Sequence, residues 1–293
     1  MIGDNYVLLA SGVLAFGQGI QEQNINERVN RWQKNITNTA FFLILAGSQT
    51  AEIEGISSAG STPMSRRYTA LADAELLLKG PIYPKRWPLP PLPAGVSPAL
   101  ISYVASRFLK IKPTVISSGL LENPSFRHVC LESPDLGPAR CLSSGNAMDA
   151  RRVKLLLDGG FKIGKQLKKP LLITECVPGG TTTAFAVLSG LGINVNGLIS
   201  GSHKKPPSEL KKKLVNQGLK AAKLKKNPSS IDLIAAVGDP FQPIAVGLLM
   251  GARESGQDIL LGGGCQMVAV LALALNEIAP ESCSEFVENI LIG

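Results

Sequence analysis

Short hydrophobic runs alternate with longer amphipathic segments along most of the chain. Continuous apolar runs are typical of strands buried on both faces of a parallel sheet, and the segments between them are typical of helices. The pattern predicts strands at 40–46, 114–117, 171–174, 193–200, 231–237, 259–261 and 286–292. It predicts helices at 21–33, from 63, at 97–110, at 147–168 with an interruption near Gly159 and Gly160, from 181, and at 208–225, 243–253 and 266–278.

This alternation favours an α/β fold with three layers, in which a mostly parallel, Rossmann-like sheet carries helices on both faces. We expect residues 1–35 to form a helical lead-in segment and residues 36–293 to form one domain. Residues 81–98 hold seven prolines and cannot form regular structure. We interpret them as an extended surface segment rather than a linker, because both flanks look like parts of one fold.

The charge is concentrated in one segment. The formal net charge is +8, and nine Lys but only one Glu lie between His203 and Lys226. Phosphate contacts could give this segment weak, salt-sensitive affinity for nucleic acid. It contains no Phe, Trp or Tyr on which bases could stack, so we favour a solvated helix face and expect no nucleic-acid partner.

The cysteine pattern indicates a reducing compartment. Five Cys are widely spaced without a C-x-x-C pair, which predicts a cytoplasmic protein without a disulfide framework. His128 and Cys130 lie close together, but no ligand set with zinc spacing surrounds them, and we interpret them as part of a surface loop. We expect no metal and no cofactor. No run reaches the ~18 apolar residues of a membrane helix.

The best candidate site is a predicted strand–turn–helix at 171–190. Glu175 ends the strand, Gly179 and Gly180 form the turn, and Thr181 and Thr182 open the helix. Free N–H groups and the helix dipole attract anions at such a position. An ordinary turn, with Gly for backbone freedom and Thr as a cap, is the alternative. A carboxylate beside the helix start is unusual for a plain turn and favours a site.

Small residues follow four successive predicted strands. Ligands of open parallel sheets bind outside the carboxyl ends of the strands, and small side chains allow close approach to the backbone. The four corners therefore predict an anionic small-molecule site. Neither a P-loop nor a dinucleotide-binding glycine motif is present, which leaves a mononucleotide or a sugar phosphate. The corners are Gly179–Gly180, Gly201–Ser202, Gly238–Asp239 and Gly262–Gly264.

The segment 175–182, Glu-Cys-Val-Pro-Gly-Gly-Thr-Thr, resembles the glutamate–glycine–threonine motif of the nicotinate-nucleotide–dimethylbenzimidazole phosphoribosyltransferase family. Stretches at 53–63, 68–75, 175–184 and 262–267 more closely resemble a divergent branch of that family. The resemblance implies transfer of phosphoribose from nicotinate mononucleotide to 5,6-dimethylbenzimidazole. Nicotinate is released, and the product, α-ribazole phosphate, enters the lower loop of cobalamin. The alternative is a nucleotide- or sugar-phosphate-binding relative without transferase activity.

The resemblance also implies roles for individual residues and, by family expectation, a homodimer. Lys213, or Lys212 next to it, would supply the positive charge for the 5′-phosphate, and Glu175 would lie near the ribose and base. Backbone groups would complete the phosphate site, and glycine turns would line the rest. The implied substrate contacts are Gly179, Gly180, Thr181, Thr182, Gly201, Ser202, Gly262, Gly263 and Gly264.

The chain departs from the family pattern at three points. Residues 200–204 stand where the family has Gly-Arg-Gly-Thr-Gly, and Gly263–Gly264 stand where it has Asp-Gly. The family's general-base glutamate, which would take the benzimidazole proton, belongs to a motif that would follow Gly293. Glu285 and Glu288 do not match it. We therefore expect either a chain truncated relative to the family or one that has lost the base, and its catalytic residue stays unassigned.

Overall fold

A computed structural model describes residues 6–9, 14–17, 21–89, 97–199, 201 and 205–293. A six-stranded parallel sheet lies at its centre and helices pack on it, which confirms the predicted α/β fold. The strands are β1 (Tyr6–Leu8), β2 (Leu14–Phe16), β3 (Ala40–Ala46), β4 (Thr114–Ser118), β5 (Val129–Cys130), β6 (Leu171–Cys176), β7 (Ile259–Leu261) and β8 (Ile290–Ile292). β1 and β2 pair with each other, antiparallel, outside the sheet.

Ten helices are present in these ranges, and α1 is the helix predicted for the lead-in segment. Short 3₁₀ turns connect several of the elements. The helices are α1 (Glu22–Asn35), α2 (Pro63–Lys79), α3 (Pro98–Phe108), α4 (Ala150–Lys165), α5 (Gly180–Gly190), α6 (Ser208–Ala222), α7 (Ser230–Val237), α8 (Phe241–Glu254), α9 (Cys265–Asn276) and α10 (Cys283–Val287). Within the described ranges, none is both long enough and apolar enough to cross a bilayer.

The sheet has the order β5-β4-β3-β6-β7-β8, and every neighbouring pair is parallel. Counted alone, its strands run 3-2-1-4-5-6, the Rossmann order, in which ligands bind at the crevice where the order reverses. That switch point lies between β3 and β6. Both are apolar runs covered on both faces, and Ile44, Leu45 and Ala46 have no exposed surface.

Two predicted strands are wrong. Residues 231–237 form α7, and the Ser229 side chain caps it by accepting from the Asp232 N–H. A helix buried on most sides is apolar nearly all round, so its sequence looks like a buried strand. Residues 193–199 form turns, because Gly197 adopts φ +75° and the Asn194 side chain accepts from the Asn196 N–H. Position 200, the end of that predicted strand, lies outside the described residues.

Two further boundaries need correction. The strand predicted at 286–292 is only β8, because α10 ends at Val287. The predicted interruption of α4 near Gly159 and Gly160 is also wrong, since α4 is continuous.

Gly160 instead lets α4 touch α8: a Cβ built on it would lie 2.3 Å from the carbonyl oxygen of Ile244. Gly164 on α4 and Gly247 and Gly251 on α8 show the same close approach, at 2.1–2.4 Å.

The proline-rich segment packs against α2 where it is described. Glu75 is buried, and its carboxylate accepts from the Lys79 ammonium at 3.0 Å and from the Arg86 N–H at 2.8 Å. Trp87 is also buried and packs with Leu71 of α2. Residues 90–96 lie outside the described ranges. The chain that follows α2 is therefore fixed to the same helix layer that covers β3.

Candidate functional site

The turn between β6 and α5 follows the carboxyl end of β6, beside the switch point. Gly179 adopts φ +79°, a conformation that glycine reaches without steric cost. A Cβ at this position would also lie 3.1 Å from the backbone nitrogen of Ala51. Gly180 begins α5, and a Cβ on it would lie 2.7 Å from the side-chain nitrogen of Gln266. Both glycines therefore permit close contact with neighbouring corners.

The first turn of α5 already uses two of the N–H groups predicted for the phosphate. Gly180 N–H donates to Val177 O at 2.8 Å, and Thr182 N–H donates to Gly179 O at 2.9 Å. Thr182 is fully buried, and its hydroxyl has no hydrogen-bond partner among the described residues. Thr181 is partly exposed. Of the four predicted residues in this turn, Thr181 is the one best placed to meet a ligand.

A buried lysine lies beside Thr181. The ammonium of Lys211, on α6, donates to Thr181 Oγ1 at 2.8 Å, and Lys211 is only 2% exposed. Burial lowers its pKa. A Cβ built on Gly201 would lie 3.3 Å from the same ammonium. The structure thus brings Thr181 and Gly201 together around one cation, although the described residues just before Gly201, 193–199, form no strand. Ser202 lies outside the described residues.

The lysine predicted for this position needs correction. Lys213 is exposed, as is Lys212, so neither side chain lies in the cluster. Lys211 shares the buried face of α6 with Leu214, Val215 and Gly218. This spacing of three, four and seven residues is the helical period, and it would have distinguished Lys211 from its neighbours in the sequence.

Two carboxyl groups near the start of α5, Glu175 and Asp239, are close enough to interact electrostatically. Glu175, at the end of β6, is partly buried and accepts a hydrogen bond from the Val177 N–H. Burial, and then the nearby charge of Asp239, raise the pKa of Glu175 to about 7. Asp239 is fully buried and accepts from the Thr183 hydroxyl and from Gln266 Nε2. Burial raises the pKa of Asp239, whereas these hydrogen bonds lower it.

Neither Asp239 nor Gln266 is among the substrate contacts predicted from the sequence. Gly238–Asp239 is predicted as a corner that follows a strand, yet it follows the helix α7. The available signal is a single charged residue, Asp239, in the mainly apolar stretch 233–250, where Gln242 is the one other polar side chain. An isolated carboxylate in a core segment needs buried donors, and such groups concentrate at functional sites.

The Gly262–Gly264 corner follows β7 and lies beside the end of β6. Gly262 N–H donates to Ile173 O at 2.8 Å, and a Cβ on Gly262 would lie 3.1 Å from the Thr174 side chain. Gly263 adopts φ +147°, and a Cβ on Gly264 would meet no atom within 4 Å. The corner leads into α9, whose Gln266 reaches Gly180. The four predicted corners, as far as they are described, therefore meet on one rim of the sheet.

A narrow cleft, open to solvent and with only about 20 Å³ of space for water-sized groups, lies beside this cluster at the carboxyl ends of β3 and β4. Ala51 and Pro178 line it, and Ala51 also touches Gly179, so the cleft and the α5 turn share a wall. One edge carries an ion pair in which the Arg67 guanidinium lies 2.6 Å from the Glu52 carboxylate. The other walls are mainly small or apolar residues, including Gly47, Ala70, Gly119, Leu120, Leu121 and Pro138.

The pKa of Glu175 leads to a stability prediction. Its ordinary value is 4.5, so between about pH 4.5 and 7 the folded chain holds a proton that the unfolded chain has released. The bound proton thus stabilises the folded state. This contribution to the free energy of unfolding is complete below the unfolded pKa of 4.5 and is lost as the pH rises through the folded pKa of about 7. We expect Glu175→Gln to become more stable relative to the wild type when urea unfolding is measured at pH 8 instead of pH 5. The exposed Glu209→Gln is the control; an equal change in both variants would contradict the prediction.

Comparison with known proteins identifies the family of the chain. A family model described as phosphoribosyltransferase matches residues 121–286. A UPF0284 protein of Prochlorococcus marinus (strain MIT 9313) is 54% identical over 279 residues, covering 95% of this chain and 69% of the relative. A UPF0284 protein of Parasynechococcus marenigrum (strain WH8102) is 52% identical over 285 residues, covering 97% of this chain and 72% of the relative.

Solved structures share the fold at low sequence identity. The crystal structure of CobT from Thermus thermophilus aligns with a TM-score of 0.63 at 16% identity, over 90% of this chain and 73% of that chain. A second structure from the same organism, named nicotinate-nucleotide-dimethylbenzimidazole phosphoribosyltransferase, aligns at 0.59 with 16% identity, over 90% and 72%. With the family match, the chain belongs to the phosphoribosyltransferase family, in a branch whose relatives carry the name UPF0284.

Proposed function

We propose that this chain transfers phosphoribose from nicotinate mononucleotide to 5,6-dimethylbenzimidazole, as part of cobalamin biosynthesis. The bond between the anomeric carbon and the pyridine nitrogen breaks, and nicotinate leaves. A benzimidazole nitrogen forms the new bond, and the proton on the other ring nitrogen passes to a base. The observation that carries the proposal is the buried Lys211 ammonium at the start of α5, where Thr181 and Gly201 also meet.

The chemistry of a ribose 5′-phosphate suits this cluster. Lys211 and Thr181 would hold the phosphate, because a buried ammonium makes strong, charge-assisted hydrogen bonds to phosphate oxygens. The dipole of α5 adds to the attraction. Glu175 would lie near the ribose and the base, where its protonated form can donate a hydrogen bond and its ionised form can accept one. The Gly262–Gly264 corner would line the opposite side.

We place the acceptor base in the cleft beside the α5 turn. Its glycine, alanine, leucine and proline residues offer apolar contact to a flat aromatic ring, the cleft would have to widen to admit one, and it adjoins Gly179 through Ala51. A ring held there would approach the anomeric carbon from the side of β3. Arg66 would not contact it through its guanidinium, which already donates to the carbonyl groups of Ala51, Gly60 and Ile53.

The test uses the purified chain. It is incubated with nicotinate mononucleotide and 5,6-dimethylbenzimidazole, and nicotinate and α-ribazole phosphate are measured by chromatography. We expect equal amounts of both products, and none without the acceptor base. Binding of nicotinate mononucleotide without turnover would favour the alternative, a nucleotide- or sugar-phosphate-binding relative without transferase activity. Absence of both binding and turnover would contradict the proposal.

A further inference from the structure

One buried carboxylate connects the starts of three helices at the site. Asp239 lies immediately before α8, and one of its oxygens accepts from Phe241 N–H at 3.0 Å. The other accepts from the Thr183 hydroxyl on α5 and from Gln266 Nε2 on α9 at 2.7 Å. Asp239 is fully buried, and so is Thr183, while Gln266 is 3% exposed. The carboxylate therefore fixes three first turns relative to one another in a part of the protein without solvent.

The side chain of Gln242 also forms hydrogen bonds within this network, and these bonds fix the orientation of its members. Gln242 Nε2 donates to Gln266 Oε1 at 3.0 Å, and Gln242 Oε1 accepts from Asp239 N–H at 3.3 Å. The orientation of the Gln266 amide is thereby set, and its nitrogen faces Asp239. Because Gln266 also packs over Gly180, the position of Asp239 determines how close α9 comes to the α5 turn.

Asp239 also acts through its charge. Its negative charge opposes ionisation of Glu175. The groups that face Asp239 from α5, α8 and α9 are neutral: Thr183, Gln242 and Gln266. Cys176 on β6 also interacts with Glu175, but burial raises the pKa of its thiol far above neutrality, so it carries no charge. Among the described residues, Asp239 is thus the nearby charge that favours the neutral form of Glu175.

We propose that Asp239 is a positioning residue, which joins the first turns of α5, α8 and α9 around the substrate. The identity of the substrate in this inference rests on the proposed function. A neutral Glu175 would not repel the phosphate or the carboxylate of nicotinate mononucleotide, and it could donate a hydrogen bond to either the ribose or the carboxylate. Affinity for this substrate should therefore fall as the pH rises past 7.

The test measures Glu175 directly, in protein without ligand. The ¹³C resonance of its carboxyl carbon, assigned by its loss in Glu175→Gln, is followed against pH in the wild type, Asp239→Asn and Asp239→Ser. We expect both Asp239 variants to lower the midpoint by roughly one pH unit, as removal of a close like charge does. Hydrogen exchange of the first-turn amides of α5 and α9 should accelerate. Asp135→Asn, an exposed change of the same charge, should leave the midpoint where it is.

The outcomes separate this inference from the proposed function. Unchanged hydrogen exchange of the first-turn amides of α5 and α9 in folded Asp239→Asn or Asp239→Ser would overturn it. Loss of cooperative thermal unfolding in both variants would also overturn it, since the role would then be structural. The affinity for nicotinate mononucleotide is measured in parallel, and its fall with pH should begin at lower pH in Asp239→Asn. A shifted midpoint without any nucleotide binding would support the role of Asp239 and count against the proposed function alone.

Discussion

Replacing Lys211 with methionine is expected to weaken binding of nicotinate mononucleotide by about 10- to 100-fold, as measured by isothermal titration calorimetry. A hydrogen bond to a charged group contributes about 1.5–3 kcal/mol, and a tenfold change in affinity corresponds to about 1.4 kcal/mol. Methionine keeps the apolar stem of the side chain but removes the ammonium that contacts Thr181. Because burial of that ammonium is itself unfavourable, the variant should stay folded.

Lys213→Met is the matched control. It removes the same charge two residues further along α6, from a side chain that points into solvent. Surface charges in high dielectric contribute little to affinity at physiological salt, so we expect a change of less than about twofold. Equal losses in both variants would indicate a long-range effect of the basic segment. Full affinity in Lys211→Met would place the phosphate elsewhere on the rim.

The pair of lysines shows what the sequence could predict about this site. The position of a cation on α6 was expected from the resemblance, but the resemblance alone did not determine which of three consecutive lysines points inward. Helical periodicity does determine it, because Lys211 is three residues before the buried Leu214. Which lysine is buried is therefore predictable once the helix is assigned. The contact of Lys211 with Thr181, in contrast, depends on how α5 and α6 pack.

The fold is likewise predictable where the local hydrophobic pattern decides the element, and not where tertiary packing decides it. The run at 40–46 forms the buried strand β3, as predicted. The run at 231–237 has a similar composition but forms α7, since Ser229 caps it and tertiary packing covers it on most sides. Local pattern cannot distinguish these two environments. The contribution of Asp239 to the rim is likewise a consequence of packing between α5, α8 and α9.

Replacing Gly160 with alanine is expected to destabilise the protein by about 3 kcal/mol or more, the upper part of the range for overpacking. The new methyl group would lie 2.3 Å from Ile244 O and 3.1 Å from Leu248 N on α8. These are backbone atoms of a buried helix, so no side chain can move aside. α4 and α8 would have to separate by about 1 Å to restore a van der Waals distance. The measurement is urea unfolding followed by circular dichroism.

Gly159→Ala, one residue away on the same helix, distinguishes packing from helix propensity. Its methyl group would come closest to the end of the Leu131 side chain, at 3.2 Å, which can shift. Alanine also favours the helix by about 1 kcal/mol over glycine, so we expect a change within about 1 kcal/mol of the wild type. Comparable destabilisation of both variants would contradict the backbone contact.

A double variant tests whether the two helices move apart as units. Gly247→Ala places a methyl group 2.1 Å from Leu157 O of α4, the reciprocal clash. Once one methyl group has separated the helices, the other finds most of its space already open. Gly160→Ala combined with Gly247→Ala should therefore cost clearly less than the sum of the single changes, because neighbouring sites that share one displacement are not additive. Full additivity would mean that each clash is relieved locally, and that α4 and α8 do not share a single closely packed interface.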